Sequence, residues 1–190
     1  MRRLLLCISS VALLFSSVVS ASEFKVVTTV KPLNLIVQEL TDGAAISESI
    51  LPPGASPHDY ALRPSDVKKL RDADLVVWVG PELEMFLSKV LDAKGNSLAL
   101  TEQHSIDFRS YESGAEIDHG DHHHSHDGVD PHLWLGPKQA IQAAKVISEA
   151  LIKFDPLHKN KYEDNLSRFV SEVELTIDEL NTELKPLASR

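Results

Sequence analysis

Leu75-Val76-Val77-Trp78-Val79 is the stretch of this sequence that decides the fold. A short apolar run without alternation, ended here by Gly80-Pro81, is typical of a strand covered on both faces in a parallel sheet. A strand with one face in water would instead alternate apolar and polar residues. The run therefore predicts an α/β arrangement.

Strand and helix patterns alternate around this run. Three further strands are predicted, at Phe24–Val30, Ala45–Leu51 and, more weakly, Ser97–Leu100. The helices between them are predicted to begin near Pro32, Pro64 and Pro81, and each has apolar residues at helical spacing. This order implies right-handed crossovers and an α/β fold with a parallel four-stranded sheet flanked by helices.

The last predicted element is one long helix from Lys159 to about Leu187, after a shorter helix from Pro137 to about Phe154. Its apolar residues recur every three or four positions, at Leu166, Phe169, Val173, Ile177, Leu180, Leu184 and Leu187. Such a helix is about 40 Å long, and a four-stranded unit can cover only part of its stripe. Either the helix lies across the sheet domain, or the chain stops in the middle of a two-lobed protein.

A segment rich in histidine and aspartate precedes these helices. Asp118–Leu135 reads DHGDHHHSHDGVDPHLWL and holds six of the nine histidines. Clustered histidines without apolar periodicity are the compositional mark of metal handling, the alternative being a solvated spacer. We expect weak, exchangeable metal ligands at His119, His122, His123, His124 and His126. Zinc is the preferred ion because imidazole suits it, and protonation near about pH 6–6.5 would remove the ligand lone pairs.

Two other histidines lie where parallel sheets bind ligands, outside the carboxyl ends of the strands. His58 lies on a proline-rich loop after the second predicted strand, and His132 precedes Leu133-Trp134-Leu135, an apolar run that can be buried and can hold it rigidly. Loops at one sheet edge can converge, so these imidazoles would supply half of the about four ligands that zinc needs. The alternatives are a turn histidine for His58 and a partly buried histidine beside Trp134 for His132.

The amino terminus has the pattern of a cleaved secretory signal over 1–21. Arg2 and Arg3 precede an apolar centre too short for a membrane span, and Val19-Ser20-Ala21 offers a small-residue cleavage site. Cleavage removes two of 19 basic residues, leaving 17 against 28 acidic ones and a net charge of −11. That charge argues against nucleic acid and anionic lipid as partners. Cleavage also removes Cys7, so no disulfide or thiolate site is available.

Catalysis is not expected. His124-Ser125-His126-Asp127 superficially resembles a metallohydrolase signature, but its spacing differs from H-x-H-x-D and it lies in a polar loop. The sequence has no H-E-x-x-H, G-x-S-x-G or phosphate-cradling glycine motif. A nucleophile, a base and an orienting group cannot be assembled from it.

Five segments resemble, in order, the periplasmic zinc-binding proteins of zinc ABC importers. They are Thr28–Pro32 (TTVKP), Leu51–Tyr60 (LPPGASPHDY), Leu62–Asp66 (LRPSD), Ala73–Gly80 (ADLVVWVG) and Asp130–Leu135 (DPHLWL). The resemblance extends to the histidine-rich acidic insertion before DPHLWL. It implies two α/β lobes joined by one long rigid helix, with metal bound in the cleft and delivered to a membrane permease powered by a cytoplasmic ATPase.

On this resemblance, His58 and His132 are zinc ligands from the amino-terminal lobe. That lobe occupies 22–156, with a histidine-rich loop over 104–130 that gathers or senses zinc. Residues 157–190 form the linking helix. The resemblance implies that the family's third histidine and any carboxylate ligand come from a second lobe, which we expect to be missing from these 190 residues. Pro57 stands where some relatives carry an acidic residue.

Two other readings stay open. The chain would be a standalone periplasmic histidine-rich zinc buffer or chaperone if the loop alone carried the binding. It would be a manganese-importing relative if harder oxygen ligands completed the site, although such a protein would not need this loop.

Overall fold

The computed structural model describes residues 23–91, 95–110 and 129–187, so the predicted signal peptide lies outside the described residues. Within these residues the strands form one all-parallel sheet in the order β2-β1-β3-β4. The strands are β1 (Lys25–Thr28), β2 (Ile46–Ser49), β3 (Leu75–Trp78) and β4 (Ser97–Ala99). The predicted parallel four-stranded α/β fold is confirmed.

Five α-helices connect and follow these strands in the described part of the chain. They are α1 (Lys31–Thr41), α2 (Pro64–Asp72), α3 (Met85–Leu91), α4 (Pro137–Phe154) and α5 (Lys159–Leu184). Proline stands in the first or second position of α1, α2 and α4, where its fixed φ suits a helix start. Helix α3 begins later than predicted, because the amides of Leu83 and Glu84 first bond to the carbonyl of Gly80 in a turn.

The core is built on the central strands. All four residues of β3 are buried, as the unbroken apolar run predicted. Helices α1, α4 and α5 pack against one another on one side of the sheet. Right-handed crossovers for a 2-1-3-4 order place α2 and α3 on the other side. This arrangement brings the loops after β1, β2 and β3 to one edge of the sheet, the carboxyl edge.

Helix α5 is anchored at its start and exposed at its end. The Asn165 amide donates 2.9 Å hydrogen bonds to the carbonyls of Leu40 and Asp42, which close the end of α1. Farther along, Leu180 and Leu184 are 49% and 54% exposed. The lobe thus covers only part of the predicted apolar stripe. None of the described helices is both long enough and apolar enough to cross a membrane.

Candidate metal site at the carboxyl edge of the sheet

The loop after β2 carries His58 to the carboxyl edge. The amides of Ile50 and Leu51 donate to carbonyls at the end of β1, which continues the strand pairing for two residues beyond β2. Pro52–Ala55 then forms a tight turn in which Gly54 has φ +82°, a conformation that glycine adopts without strain. His58 follows on an exposed stretch of the loop.

His132 reaches the same edge from the other side of the histidine-rich segment. It directly precedes a 3₁₀ helix, Leu133–Leu135, which leads through Gly136 into α4. Leu133 is buried, but Leu135 is 71% exposed, so the expectation that this apolar run can be buried holds only in part. A 3₁₀ turn of three residues directs successive side chains to different sides, and one of them faces solvent.

The structure brings the two imidazoles together. The ring centroids of His58 and His132 lie 5.9 Å apart with their planes tilted by 52°. A zinc ion bonded to one nitrogen of each ring at about 2.0–2.1 Å would hold the centroids roughly 5–5.5 Å apart at near-tetrahedral angles. The observed spacing is slightly larger, so a small movement of either ring would let the two residues share a metal ion, although they are far apart in sequence.

Asp130 orients the second imidazole. Its Oδ1 atom lies 2.8 Å from Nδ1 of His132 and also accepts the backbone N–H of His132 at 3.0 Å. Since a carboxylate can only accept, Nδ1 carries the proton and Nε2 keeps the lone pair that a metal needs. On its other side the His132 ring meets the Trp134 ring edge-on at 5.4 Å.

The ends of the histidine-rich loop meet beside His132. Ser110 and Val129 form an isolated antiparallel bridge, and the Asp130 amide donates to the Arg109 carbonyl at 2.7 Å. Asp107 ties this region to α4, because its carboxylate accepts from Lys138 and Gln142. These contacts lower the pKa of Asp107, the Lys138 hydrogen bond being the largest cause. The predicted auxiliary ligands fall outside the described residues, namely His119, His122, His123, His124 and His126.

The described residues supply two imidazoles as possible metal ligands, and they contain no larger group of ligands. Among residues 23–91, 95–110 and 129–187, no three histidines or carboxylates are close enough together to hold a metal ion. The arrangement can therefore fix and orient two ligands on one side of an ion. Further ligands would have to come from water or from outside the described parts of the chain.

A buried carboxylate near this edge was not anticipated. Glu84 is fully buried between the ends of β1 and β3, where it accepts from the Thr29 hydroxyl and, at 3.0 Å, from the Gly80 amide. Burial raises the pKa of Glu84 to about 7 despite these hydrogen bonds. Its sequence context, PELEMF, has a second glutamate that is exposed, and nothing in the pattern distinguishes the two.

Two residues close in sequence to the histidines also have contacts that the sequence did not predict. Asp130 was read only as part of a motif, although its place two residues before His132 is the signal of an orienting carboxylate. Tyr60 donates its hydroxyl to Asp66 at 3.0 Å and contacts Phe86 with its ring. Partial burial, followed by the Asp66 carboxylate, raises the pKa of Tyr60, so its hydroxyl stays a donor.

Comparison with known proteins adds a family match. Residues 26–190 match the family described as zinc-uptake complex component A, periplasmic. The chain is 41% identical over 200 residues to the high-affinity zinc uptake system protein ZnuA of Yersinia pestis, covering 94% of this chain and 62% of that protein. It is 32% identical over 190 residues to the ZnuA of Haemophilus ducreyi, covering 91% and 61%.

The fold has counterparts among solved structures. The crystal structure of ZnuA superposes on this chain with a TM-score of 0.71 at 24% identity, covering 87% of this chain and 60% of that one. At this level of identity the similarity establishes the fold alone. The chain spans about three fifths of the length of the curated relatives described above.

Proposed function

Because the chain belongs to the family of periplasmic zinc-uptake complex components, we propose that it captures zinc outside the cytoplasm and delivers it to an ABC importer. The observation that carries the proposal is the His58–His132 pair, with ring centroids 5.9 Å apart at the carboxyl edge of the sheet. Zinc is the cargo of this site. The curated relatives named above are zinc uptake proteins, which supports zinc over manganese.

In this proposal His58 and His132 each bind zinc through one ring nitrogen. Asp130 holds the His132 ring with Nε2 outward, and two imidazoles leave about two positions of a tetrahedral ion open. Water or a carboxylate can fill them, as can a histidine of the 104–130 loop. An open, incomplete site suits a carrier, because bound metal must leave again.

The exposed end of α5 supports a two-lobed arrangement. A groove of about 370 Å³ is lined by Phe169, Val173, Ile177 and Leu180 of α5 and by Pro137, the first residue of α4. Since Pro137 lies just after the His132 segment, α5 beyond Leu180 extends past the carboxyl edge on the histidine side. We place the lobe at 22–156 and the linking helix at 157–190. The curated relatives are longer than this chain, and a second lobe on that helix would face the two histidines.

The proposal assigns binding and delivery, with no catalytic step. Its partners are the zinc ion, the membrane permease of the importer and the ATPase that powers it. The predicted cleaved signal over 1–21 and the family description both support a periplasmic location for the working protein. The excess of 28 acidic over 19 basic residues agrees with a protein that attracts cations and not nucleic acid.

A competitive zinc titration tests the proposal. The His58→Ala/His132→Ala double substitution should abolish the tightest site. Deletion of Asp118–Gly128 should leave that site in place. His158→Ala is the matched control, because His158 lies at the joint between α4 and α5, where it bonds to Asp155. The opposite result, binding lost with the loop and kept in the double substitution, would make the chain a histidine-rich zinc buffer.

A further inference from the structure

We infer that Tyr60 is a positioning residue that holds His58 opposite His132. This inference rests on the zinc site proposed above. Tyr60 lies two residues after His58 on the loop that joins β2 to α2, and it packs against the core while His58 itself is exposed. Two residues of chain span at most about 7 Å, so a fixed Tyr60 restricts where His58 can go.

The hydroxyl of Tyr60 is hydrogen-bonded to a residue in the first turn of α2. It donates to Oδ2 of Asp66 at 3.0 Å, and the same oxygen accepts the backbone N–H of Arg63 at 2.9 Å. Asp66 occupies the third position of α2 and is only 6% exposed. Its carboxylate is therefore set by the cap of α2, and the Tyr60 hydroxyl is tied to an acceptor that does not depend on the loop.

The ring of Tyr60 is held by a second helix. It meets the Phe86 ring edge-on, with centroids 5.8 Å apart and planes at 61°. Phe86 lies in the first turn of α3, two residues after Glu84, whose carboxylate accepts hydrogen bonds from Thr29 and Gly80. The contact thus connects the His58 loop to the buried ends of β1 and β3.

The contacts that His58 itself makes are weaker than those of Tyr60. Its amide donates to Ser56 Oγ at 3.3 Å, a local bond within the same exposed loop, and its ring meets His132. A ligand on an unrestrained loop loses conformational entropy when metal binds, and that cost is subtracted from the affinity. Holding the loop in advance removes the cost. Tyr60 therefore acts on zinc affinity through the geometry of His58, without touching the ion.

Substitution of either ring tests this role. Tyr60→Leu removes the hydroxyl bond and the ring contact, and we expect about tenfold weaker zinc binding, in the range found for groups that orient metal ligands. Phe86→Leu removes the ring contact from the other side and should weaken binding in the same direction. Tyr60→Phe keeps the ring and should recover most of the affinity that Tyr60→Leu loses.

A spectroscopic reading separates positioning from general stability. Co²⁺ bound in place of zinc should show a shifted d–d absorption in Tyr60→Leu, because the His58 nitrogen is no longer fixed. Phe24→Leu is the matched control: Phe24 is also a partly buried ring on the core, but it lies just before β1, at the opposite edge of the sheet. It should leave both the zinc affinity and the Co²⁺ spectrum unchanged.

Parent affinity and an unchanged Co²⁺ spectrum in both Tyr60→Leu and Phe86→Leu would overturn the inference and leave the zinc site standing. Full zinc binding by His58→Ala/His132→Ala would instead refute the proposed site itself. If circular dichroism shows that Tyr60→Leu is unfolded, Phe86→Leu decides the question, because it removes the contact between the two rings and leaves Tyr60 in place.

Discussion

Nδ1 of His132 lies 2.8 Å from Oδ1 of Asp130, two residues earlier in the chain. The same carboxylate oxygen accepts the His132 amide, so one atom fixes both the backbone and the ring of a candidate ligand. A carboxylate on the far nitrogen of a metal-binding imidazole sets its tautomer and raises its basicity. Asp130 thus prepares His132 for a cation before any cation is present.

The first prediction concerns this carboxylate. Asp130→Ala should weaken zinc binding by about 10- to 100-fold, because the His132 ring loses both its orientation and its fixed tautomer. Asp130→Asn keeps an acceptor oxygen without the charge and should fall in between. A competition titration with a chromophoric chelator measures both.

Asp107→Ala is the matched control for this prediction. Asp107 is an exposed carboxylate in the same region, but its partners are Lys138 and Gln142 of α4 and not a histidine. The zinc affinity of the Asp107→Ala variant should equal that of the parent. An equal loss in Asp107→Ala and Asp130→Ala would mean that the region needs its carboxylates for shape and not for the orientation of His132.

The second prediction is a dependence of stability on pH that comes from Glu84. Burial raises the pKa of Glu84 from 4.5 to about 7, so between these values the folded protein binds more protons than the unfolded chain. The free energy of unfolding should therefore fall as pH rises through this window, by on the order of 3 kcal/mol from this group. The contribution is complete below the unfolded pKa and is lost above the folded one.

Urea unfolding of the parent and of Glu84→Gln across this pH range measures the effect. Glutamine cannot titrate, so the difference in stability between parent and variant should shrink as pH rises. Glu82→Gln, an exposed carboxylate in the same turn, should give a curve nearly parallel to that of the parent. A parallel curve for Glu84→Gln would show that Glu84 does not titrate in this window.

The sequence pattern predicted the architecture because the relevant signals are local. The buried run Leu75–Val79, the prolines that open helices and the alternation of strand and helix each follow from chain chemistry at short range. The convergence of His58 and His132 at one edge followed from the topology, since parallel strands direct their following loops to the same side. The chain order thus allowed the two rings to lie near one another, but the distance between them came only from the folded structure.

The supporting contacts could not be read in the same way. Glu84 is buried because Thr29 and Gly80, on separate strand ends, supply its hydrogen bonds, and only the folded sheet brings them together. The contact between Tyr60 and Phe86 likewise joins two loops. Such partners depend on tertiary packing, for which the sequence has no periodic signal. The exposure of Leu135 has a local origin instead, because it lies in a 3₁₀ turn that directs its side chain to solvent although the sequence there is apolar.

The third prediction concerns the anchor of α5. Asn165→Ala should lower the free energy of unfolding by about 1–3 kcal/mol, because two carbonyls at the end of α1 lose their donor in a buried place. Asn181→Ala, the same change at an exposed position on the same helix, should cost no more than about 0.5 kcal/mol. Chemical denaturation compares the two. Equal costs would indicate that the hydrogen bonds from Asn165 to the end of α1 contribute no measurable stability.

The fourth prediction separates the two halves of the α5 stripe. Leu166 packs against the core, whereas Leu184 is 54% exposed. Leu166→Gln should therefore cost about 1–3 kcal/mol of stability, and Leu184→Gln should change it by less than about 0.5 kcal/mol. Unfolding curves in urea measure both changes. A large loss of stability in Leu184→Gln would mean that the far end of α5 already packs against this lobe. The exposed end of α5 would then no longer support a second lobe beside the histidine pair.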